Sequence, residues 1–180
     1  QTEIALFWRD GNLTSTGPGH WNTIALDRMK GASPQQKARA LLKLNIALYD
    51  AGIAAWDAKT TYQFWRPMTA IEFAGVDGNE RTSTEARWFP YIGNPMHPEY
   101  VSGHSTFSAA AAIVLEAELG KQEFCTSSEG LPNVERCFES FWQAAKEAGD
   151  SRVYGSIHFN FSNIDGLELG RNVAMNTLSF

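Results

Sequence analysis

Residues 33–65 read SPQQKARALLKLNIALYDAGIAAWDAKTTYQFW, and this stretch decides the fold class of the chain. Ser33 is a suitable N-cap, and Pro34 occupies the first helical position, where its missing N–H loses no hydrogen bond. Leucine and alanine then recur at spacings of three and four residues, as on the buried face of an amphipathic helix. The pattern predicts one long helix running to about Trp65, because Pro67 disfavours helical geometry at the residue before it.

Other helices are expected on both sides of this long helix, and no segment shows a strong strand pattern. The further helices predicted from periodicity and from the residues at their ends are 2–9, 21–29, 102–120, 138–148 and 163–178. Residues 75–101 are rich in turn-forming residues but carry several aromatics, which favours an ordered, packed loop. The chain is therefore predicted to be mainly α, a helical bundle in one domain, 1–180.

The composition is typical of a globular protein without a broad positive surface. The chain has 180 residues, of which 43% are hydrophobic and 19% charged, and its formal net charge is −5. An acidic chain does not attract nucleic acid or anionic membranes through its overall charge. No run reaches the roughly 20 apolar residues of a membrane-spanning helix. Any anion site must therefore concentrate its cations locally.

Two cysteines, Cys125 and Cys137, bracket one short loop. Such a pair either forms a disulfide, which favours a secreted or periplasmic protein, or remains as two partly buried thiols. The loop favours the disulfide. The chain opens on Gln1, with neither an initiator methionine nor a signal peptide. We therefore expect a processed or truncated start.

Lys59 and Arg66 lie seven residues apart, two turns along one stripe of the predicted long helix. Trp56, one turn before Lys59, joins this stripe. Two basic residues usually form a solvated charged face. Here they are surrounded by aromatic residues such as Trp65, which a solvated face rarely carries. We expect the two cations to point into a pocket.

Ser102-Gly103-His104 stands directly before the alanine-rich helix. A helix N-terminus offers free N–H groups and a partial positive charge, both of which favour an oxyanion. An ordinary helix cap with an incidental histidine is the simpler interpretation of this tripeptide alone. A third segment holds Arg152, whose planar fork of donors suits an oxyanion, and His158, in an apolar setting typical of a core histidine.

Taken together, the three segments resemble the motifs of the vanadium-dependent haloperoxidase and type-2 phosphatidic acid phosphatase superfamily. Residues 59–67 fit the first motif, which is Lys, six residues, Arg and Pro. Residues 102–104 fit the second, normally Pro-Ser-Gly-His, and residues 151–158 fit the third, which is Ser, Arg, five residues and His. The resemblance implies a helical bundle and a cofactor, vanadate, with phosphate accepted at the same site.

The same resemblance assigns roles to the residues around this anion. Those that would neutralise or hydrogen-bond its oxygens are Lys59, Arg66, Ser102, Gly103 and Arg152. His158 would bind vanadium directly, or attack phosphorus in a phosphatase. His104 would transfer protons, and Lys59 would polarise the peroxide. Trp56 matches a pocket tryptophan of haloperoxidases, and His97 matches a histidine typical of bromoperoxidase-like members.

Two departures from the family pattern bear on the site. Val101 replaces the usual proline before Ser102. The family usually has aspartate four residues after the third-motif histidine, and here that residue is Ser162. If the aspartate orients His158, then Ser162 or a backbone carbonyl must substitute; Asp165 is also near in sequence.

Family members are usually longer, with helices ahead of the first motif. This chain is therefore expected to be the C-terminal half of such a bundle, completed by an N-terminal segment or a partner chain, and to form a homo-oligomer.

Three functions remain open at this stage. The first is a vanadate-dependent haloperoxidase that oxidises halide, bromide in preference to chloride, with hydrogen peroxide and passes the halogen to an organic acceptor. The second is an acid phosphatase with a histidine nucleophile. The third is a non-catalytic anion-binding or structural half of a two-chain assembly.

Overall fold

The computed structural model describes residues 1–11 and 13–179 and is mainly helical, as predicted. The helices are α1 (Thr2–Phe7), α2 (Gly17–Arg28), α3 (Pro34–Tyr62), α4 (Pro67–Glu72), α5 (Gly103–Leu119), α6 (Phe141–Tyr154) and α7 (Asn160–Leu178). A single 3-10 turn spans Ala74–Val76, and an irregular segment then leads to α5, as the composition of that region predicted. Among the described residues, no helix is long and apolar enough to cross a membrane.

Helix α5 lies at the centre of the bundle and contacts α2, α3, α6 and α7. Its run Ala109–Ala112 is fully buried. Small side chains let the neighbouring helices approach closely: a Cβ added to Gly170 of α7 would lie 2.1 Å from the backbone oxygen of Thr106. The core therefore holds the beginning of α5 rigidly between α6 and α7.

Helix α3 begins as the sequence predicted. Ser33 and Gln36 form a capping box, in which the Gln36 N–H donates to Ser33 Oγ (3.3 Å) and the Ser33 N–H donates to Gln36 Oε1 (2.9 Å). The helix ends at Tyr62, because Gln63 adopts a left-handed conformation with φ 46°. The prediction that Lys59 and Arg66 share one helical stripe is therefore wrong, since Arg66 is the N-cap of α4.

Further helix boundaries differ from the sequence prediction, and the short α4 was not predicted. Helix α1 ends at Phe7 rather than Arg9, and α7 begins at Asn160 rather than Asn163. Helix α2 begins at Gly17 rather than Trp21, because Thr16 caps it and accepts a hydrogen bond from the Gly19 N–H (3.4 Å). Proline is compatible with this first turn, since its missing N–H would have no partner there. Helix α6 begins three residues later than predicted and continues to Tyr154, so that Arg152 lies in its last turn.

A small antiparallel hairpin was not predicted. It pairs β1 (Phe124–Ser127) with β2 (Glu135–Phe138), and Cys125 faces Cys137 across the two strands. The two cysteines form the predicted disulfide, which we call the hairpin disulfide. The hairpin loop contacts α1, because Ser128 Oγ donates to the backbone oxygen of Phe7. The strands are only four residues long, too short for a clear alternating pattern.

Candidate functional site

A cavity of about 490 Å³ lies between the start of α5, the end of α6 and the segment that follows α1. Its lining contains six of the nine predicted site residues: Trp56, His97, Gly103, His104, Arg152 and His158. The other three, Lys59, Arg66 and Ser102, do not line the cavity and are almost completely buried. The three sequence segments thus converge on one region, as predicted. The charges of Lys59 and Arg66, however, lie behind the wall of the cavity.

The N-terminus of α5 forms one side of the cavity. Ser102 is the N-cap, and its Oγ accepts hydrogen bonds from the Ser105 N–H (3.3 Å) and the Ser105 hydroxyl (2.8 Å). Within residues 1–11 and 13–179, the N–H groups of Gly103 and His104 have no acceptor, and both residues line the cavity. Free N–H groups at the start of a 17-residue helix give this wall a partial positive charge that suits an oxyanion.

Arg152 enters the cavity from the last turn of α6 and is 2% exposed. Its Nε donates to Ser151 Oγ (2.9 Å), and its Nη2 donates to the backbone oxygen of Ala5 (3.2 Å). Burial lowers the pKa of Arg152 to about 10, while Asp10 opposes this effect, so the guanidinium remains charged at neutral pH. Arginine carries five N–H donors, and the remaining three are available to a ligand.

His158 follows α6 and is 5% exposed. Its Nδ1 lies 2.7 Å from Oε1 of Glu99, and its Nε2 lies 3.5 Å from Nη1 of Arg66. Burial lowers the pKa of His158 to about 4; the contact with Glu99 opposes this effect and the charge of Arg66 adds to it. The ring is therefore neutral near pH 7, with a lone pair on Nε2.

Glu99 corrects the expectation about how His158 is oriented. Neither a backbone carbonyl nor Ser162 accepts from the His158 ring; instead Ser162 Oγ donates to Oε2 of Glu99 (2.5 Å). Asp165 is not involved either, because it accepts a hydrogen bond from the Tyr100 hydroxyl (3.0 Å). The carboxylate comes from a loop that is distant from His158 in sequence.

Arg66 connects His158 with His97 behind the cavity wall. It donates from Nη1 to the backbone oxygen of Ile157 (2.7 Å) and from Nε to that of His97 (3.0 Å). Its Nη2 lies 3.2 Å from Nδ1 of His97, whose ring packs against Trp56 with centroids 5.2 Å apart. Burial lowers the pKa of Arg66 to about 10, so its positive charge persists at neutral pH.

Lys59 holds the loop that leads into α5. Its Nζ donates to the backbone oxygens of Pro98 (3.0 Å), Glu99 (2.9 Å) and Val101 (2.5 Å). Burial lowers the pKa of Lys59 to about 7, and the charge of Arg66 adds to this effect. An ammonium group has three donors, so a charged Lys59 spends all of them on the loop.

His104 is the candidate proton-transfer group. Its Nε2 is buried at the cavity and has no hydrogen-bonding partner within the described residues, although Asp10 Oδ1 lies 3.4 Å away. Burial and the charge of Arg152 lower the pKa of His104, while Asp10 raises it. A neutral ring with an unsatisfied nitrogen can exchange a proton with a ligand in the cavity.

Sequence reasoning did not identify Asp10 and Glu99 as parts of the site. Asp10 lines the cavity near His104 and Arg152, although it lies about 90 residues before the second motif. The replacement of the usual aspartate by Ser162 indicated that His158 needed another acceptor, but it did not indicate Glu99.

A family model described as the VCPO second helical-bundle domain matches residues 39–180. The chain belongs to this family. The match covers all three motif segments and every residue that lines the cavity except Arg9, Asp10 and Gly11. It confirms the superfamily that the motifs indicated.

Related proteins of known name agree with this family. The vanadium chloroperoxidase of Curvularia inaequalis is 29% identical over 132 residues, which cover 61% of this chain and 21% of that protein. The crystal structure of a bacterial vanadium-dependent iodoperoxidase superimposes with a TM-score of 0.85 and 33% identity, covering 99% of this chain and 43% of that one. A holo-type bacterial vanadium-dependent chloroperoxidase shows the same fold, with a TM-score of 0.75 and 19% identity. The superposition covers 99% of this chain and 43% of that one.

The chain thus spans about a fifth of the curated relative and 43% of each of these two solved structures. The N-terminal segment or partner chain expected to complete the bundle stays a prediction, as does the homo-oligomer. One face of α3 offers space for such a neighbour, since it exposes a row of large apolar side chains: Leu42, Ile46, Tyr49, Ile53 and Trp56.

Proposed function

We propose that this chain holds vanadate in the cavity and is the catalytic portion of a vanadium-dependent haloperoxidase. One observation carries the proposal: Arg152, His104, His158 and the N-terminus of α5 face a single cavity. A tetrahedral oxyanion needs several donors from different directions, and this cavity offers a guanidinium fork, two backbone N–H groups and a neutral imidazole. The residues present therefore fit the cofactor.

Each residue has a role that follows from its contacts. Arg152 neutralises the anion with its free N–H groups, and Arg66 adds positive charge from behind the wall. The Nε2 lone pair of His158 binds the metal, while His104 moves a proton to or from the reacting oxygen. When bound, vanadate supplies a Lewis acid that activates hydrogen peroxide toward a halide. Lys59 contributes its charge and holds the loop that leads into α5. It has no free donor for the anion, because backbone oxygens of that loop take all three.

The halide and the organic acceptor follow from the resemblance alone. We propose bromide in preference to chloride, because His97, which lines the cavity, matches the histidine typical of bromoperoxidase-like members. The direct test loads the protein with orthovanadate, supplies peroxide, and measures halogenation of a phenolic dye with iodide, bromide or chloride in parallel. His158→Ala is the matched inactive variant. Halogenation no faster than that of this variant, with every halide, would refute the proposal.

A phosphatase is the second candidate, and the orientation of His158 favours it as well. A neutral imidazole that is held at Nδ1 and belongs to a residue lining the cavity suits nucleophilic attack on phosphorus as well as metal binding. Hydrolysis of a phosphomonoester without vanadate, lost in His158→Ala and inhibited by added vanadate, would establish this activity. The non-catalytic function is tested by titrating vanadate into the chain alone: tight binding would count against this function, whereas binding only after a partner chain is added would support it.

A further inference from the structure

Glu99 is fully buried, and within the described residues its side chain is hydrogen-bonded to the segment that begins at His158. Oε1 accepts hydrogen bonds from His158 Nδ1 (2.7 Å) and from the Phe159 N–H (3.0 Å). Oε2 accepts one from the Ser162 hydroxyl (2.5 Å). Both carboxylate oxygens are therefore fixed, and the carboxylate plane cannot turn without breaking a hydrogen bond.

The backbone of Glu99 is anchored independently of its side chain. Its N–H donates to the backbone oxygen of Phe64 (3.0 Å), and its own oxygen accepts from Lys59 Nζ (2.9 Å). The loop is thus attached to α3 on one side, while the carboxylate reaches the start of α7 on the other. Glu99 therefore links α3 to the ring of His158 through hydrogen bonds at its backbone and its side chain.

This geometry determines the tautomer of His158. An ionised carboxylate only accepts hydrogen bonds, so Nδ1 must carry the ring proton. Nε2 then keeps its lone pair, with Arg66 Nη1 3.5 Å away, in a residue that lines the cavity. An acceptor behind a metal-binding histidine fixes both the tautomer and the orientation of the ring, and losing it typically lowers metal affinity by about 10- to 100-fold.

We propose that Glu99 is the positioning residue of His158 and that Ser162 positions Glu99. The proposal that Glu99 positions His158 rests on the proposed function in one respect, namely that His158 holds the oxyanion. Neither residue lines the cavity, so both act through the histidine rather than on the ligand.

The contact between Ser162 and Glu99 also predicts an exchange. Ser162 Oγ lies 2.5 Å from Oε2 of Glu99, so a carboxylate on residue 162 would lie beside the space that the Glu99 carboxylate fills next to the ring. Ser162→Asp alone places two buried carboxylates in contact and is unfavourable. The double variant Glu99→Ala with Ser162→Asp removes that repulsion, frees this space and returns one carboxylate to it.

The test measures the tautomer of His158 by nitrogen NMR of histidine-labelled protein, and the dissociation constant for orthovanadate by calorimetry. We expect wild type to show only the Nδ1–H form, Glu99→Ala, which removes the acceptor, to show a mixture with at least tenfold weaker binding, and the double variant to recover most of both. Glu80→Ala, on an exposed residue, is the control. An unchanged tautomer and affinity in Glu99→Ala, or a double variant no better than the single one, would overturn the inference.

Two readouts separate this inference from the proposed function. If wild type binds no vanadate, the proposed function fails, yet the tautomer still decides whether Glu99 orients the ring. If Glu99→Ala does not fold, Ser162→Ala replaces it, since it keeps the carboxylate and removes one donor. We then expect a partial loss of the Nδ1–H form, and a ratio identical to wild type would refute the role of Ser162.

Discussion

Replacing Arg152 by lysine keeps the positive charge in the cavity but removes the planar fork. The guanidinium uses two of its N–H groups on Ser151 and Ala5, so the other N–H groups can reach an anion. A lysine ammonium at the same place offers a single point of contact. The positive charge near the C-terminus of α6 is retained, so its interaction with the helix dipole is unchanged.

The expected size of the effect follows from the hydrogen bonds lost. A fork can give two parallel bonds to an oxyanion, and an ammonium at the same distance gives one. Each charge-assisted hydrogen bond contributes about 1.5–3 kcal/mol, and a tenfold change in affinity corresponds to about 1.4 kcal/mol. Arg152→Lys should therefore bind orthovanadate about 10- to 150-fold more weakly.

Isothermal titration of orthovanadate into each protein measures this directly, with phosphate titrated in parallel. Arg171→Lys on α7 is the matched control, because that side chain is 58% exposed and lies outside the cavity. The control should bind as wild type does. An Arg152→Lys variant within threefold of wild type would show that the fork does not contact the anion.

Three further predictions concern stability. Burial lowers the pKa of His158 from 6.5 to about 4. Between these two values only the unfolded chain takes up the proton, so stability that is present above pH 6.5 is lost as the pH falls. The loss is about 3 kcal/mol, at 1.36 kcal/mol per pH unit. Urea unfolding at pH 7 and pH 4 should show a loss about 3 kcal/mol larger in wild type than in His158→Phe, since His20, His97 and His104, whose pKa values burial also lowers, contribute in both proteins; equal losses would contradict it. Gly170→Ala, whose Cβ would meet the Thr106 oxygen at 2.1 Å, should lower thermal stability by about 2 kcal/mol or more, whereas Gly31→Ala, with nothing within 4 Å, should not; equal melting temperatures would contradict the close packing of α5 and α7. Reducing the hairpin disulfide, which closes a loop of 12 residues, should cost about 3 kcal/mol in chemical unfolding, and no change would show that the loop is already constrained.

The sequence predicts best where the physical cause is local. Ser33 with Gln36 and Ser102 before the alanine run start helices through caps formed within a few residues, and both starts are found where predicted. The end of α3 is set by the left-handed backbone at Gln63, which the proline rule placed a few residues too late. That error also put Arg66 on the wrong helix.

The motif segments indicated which residues gather, but not how each one is used. Lys59 was expected to contact the anion, yet the backbone oxygens of its own loop take its three donors. The partner of His158 could not be read from the sequence, because Glu99 lies 59 residues away and reaches the ring only through the tertiary fold. The spacing of residues within one motif can be read directly from the sequence. Hydrogen bonds between motifs cannot, because they form only once the helices of the bundle have packed together.

The central claim is that distant segments of this chain bind one small oxyanion together. The most direct measurement is a crystal structure of the protein soaked in orthovanadate. We expect vanadium to be bonded to Nε2 of His158. The vanadate oxygens should contact Arg152 and the backbone N–H groups at the start of α5. Vanadate bound elsewhere, or an empty cavity at saturating vanadate, would contradict it.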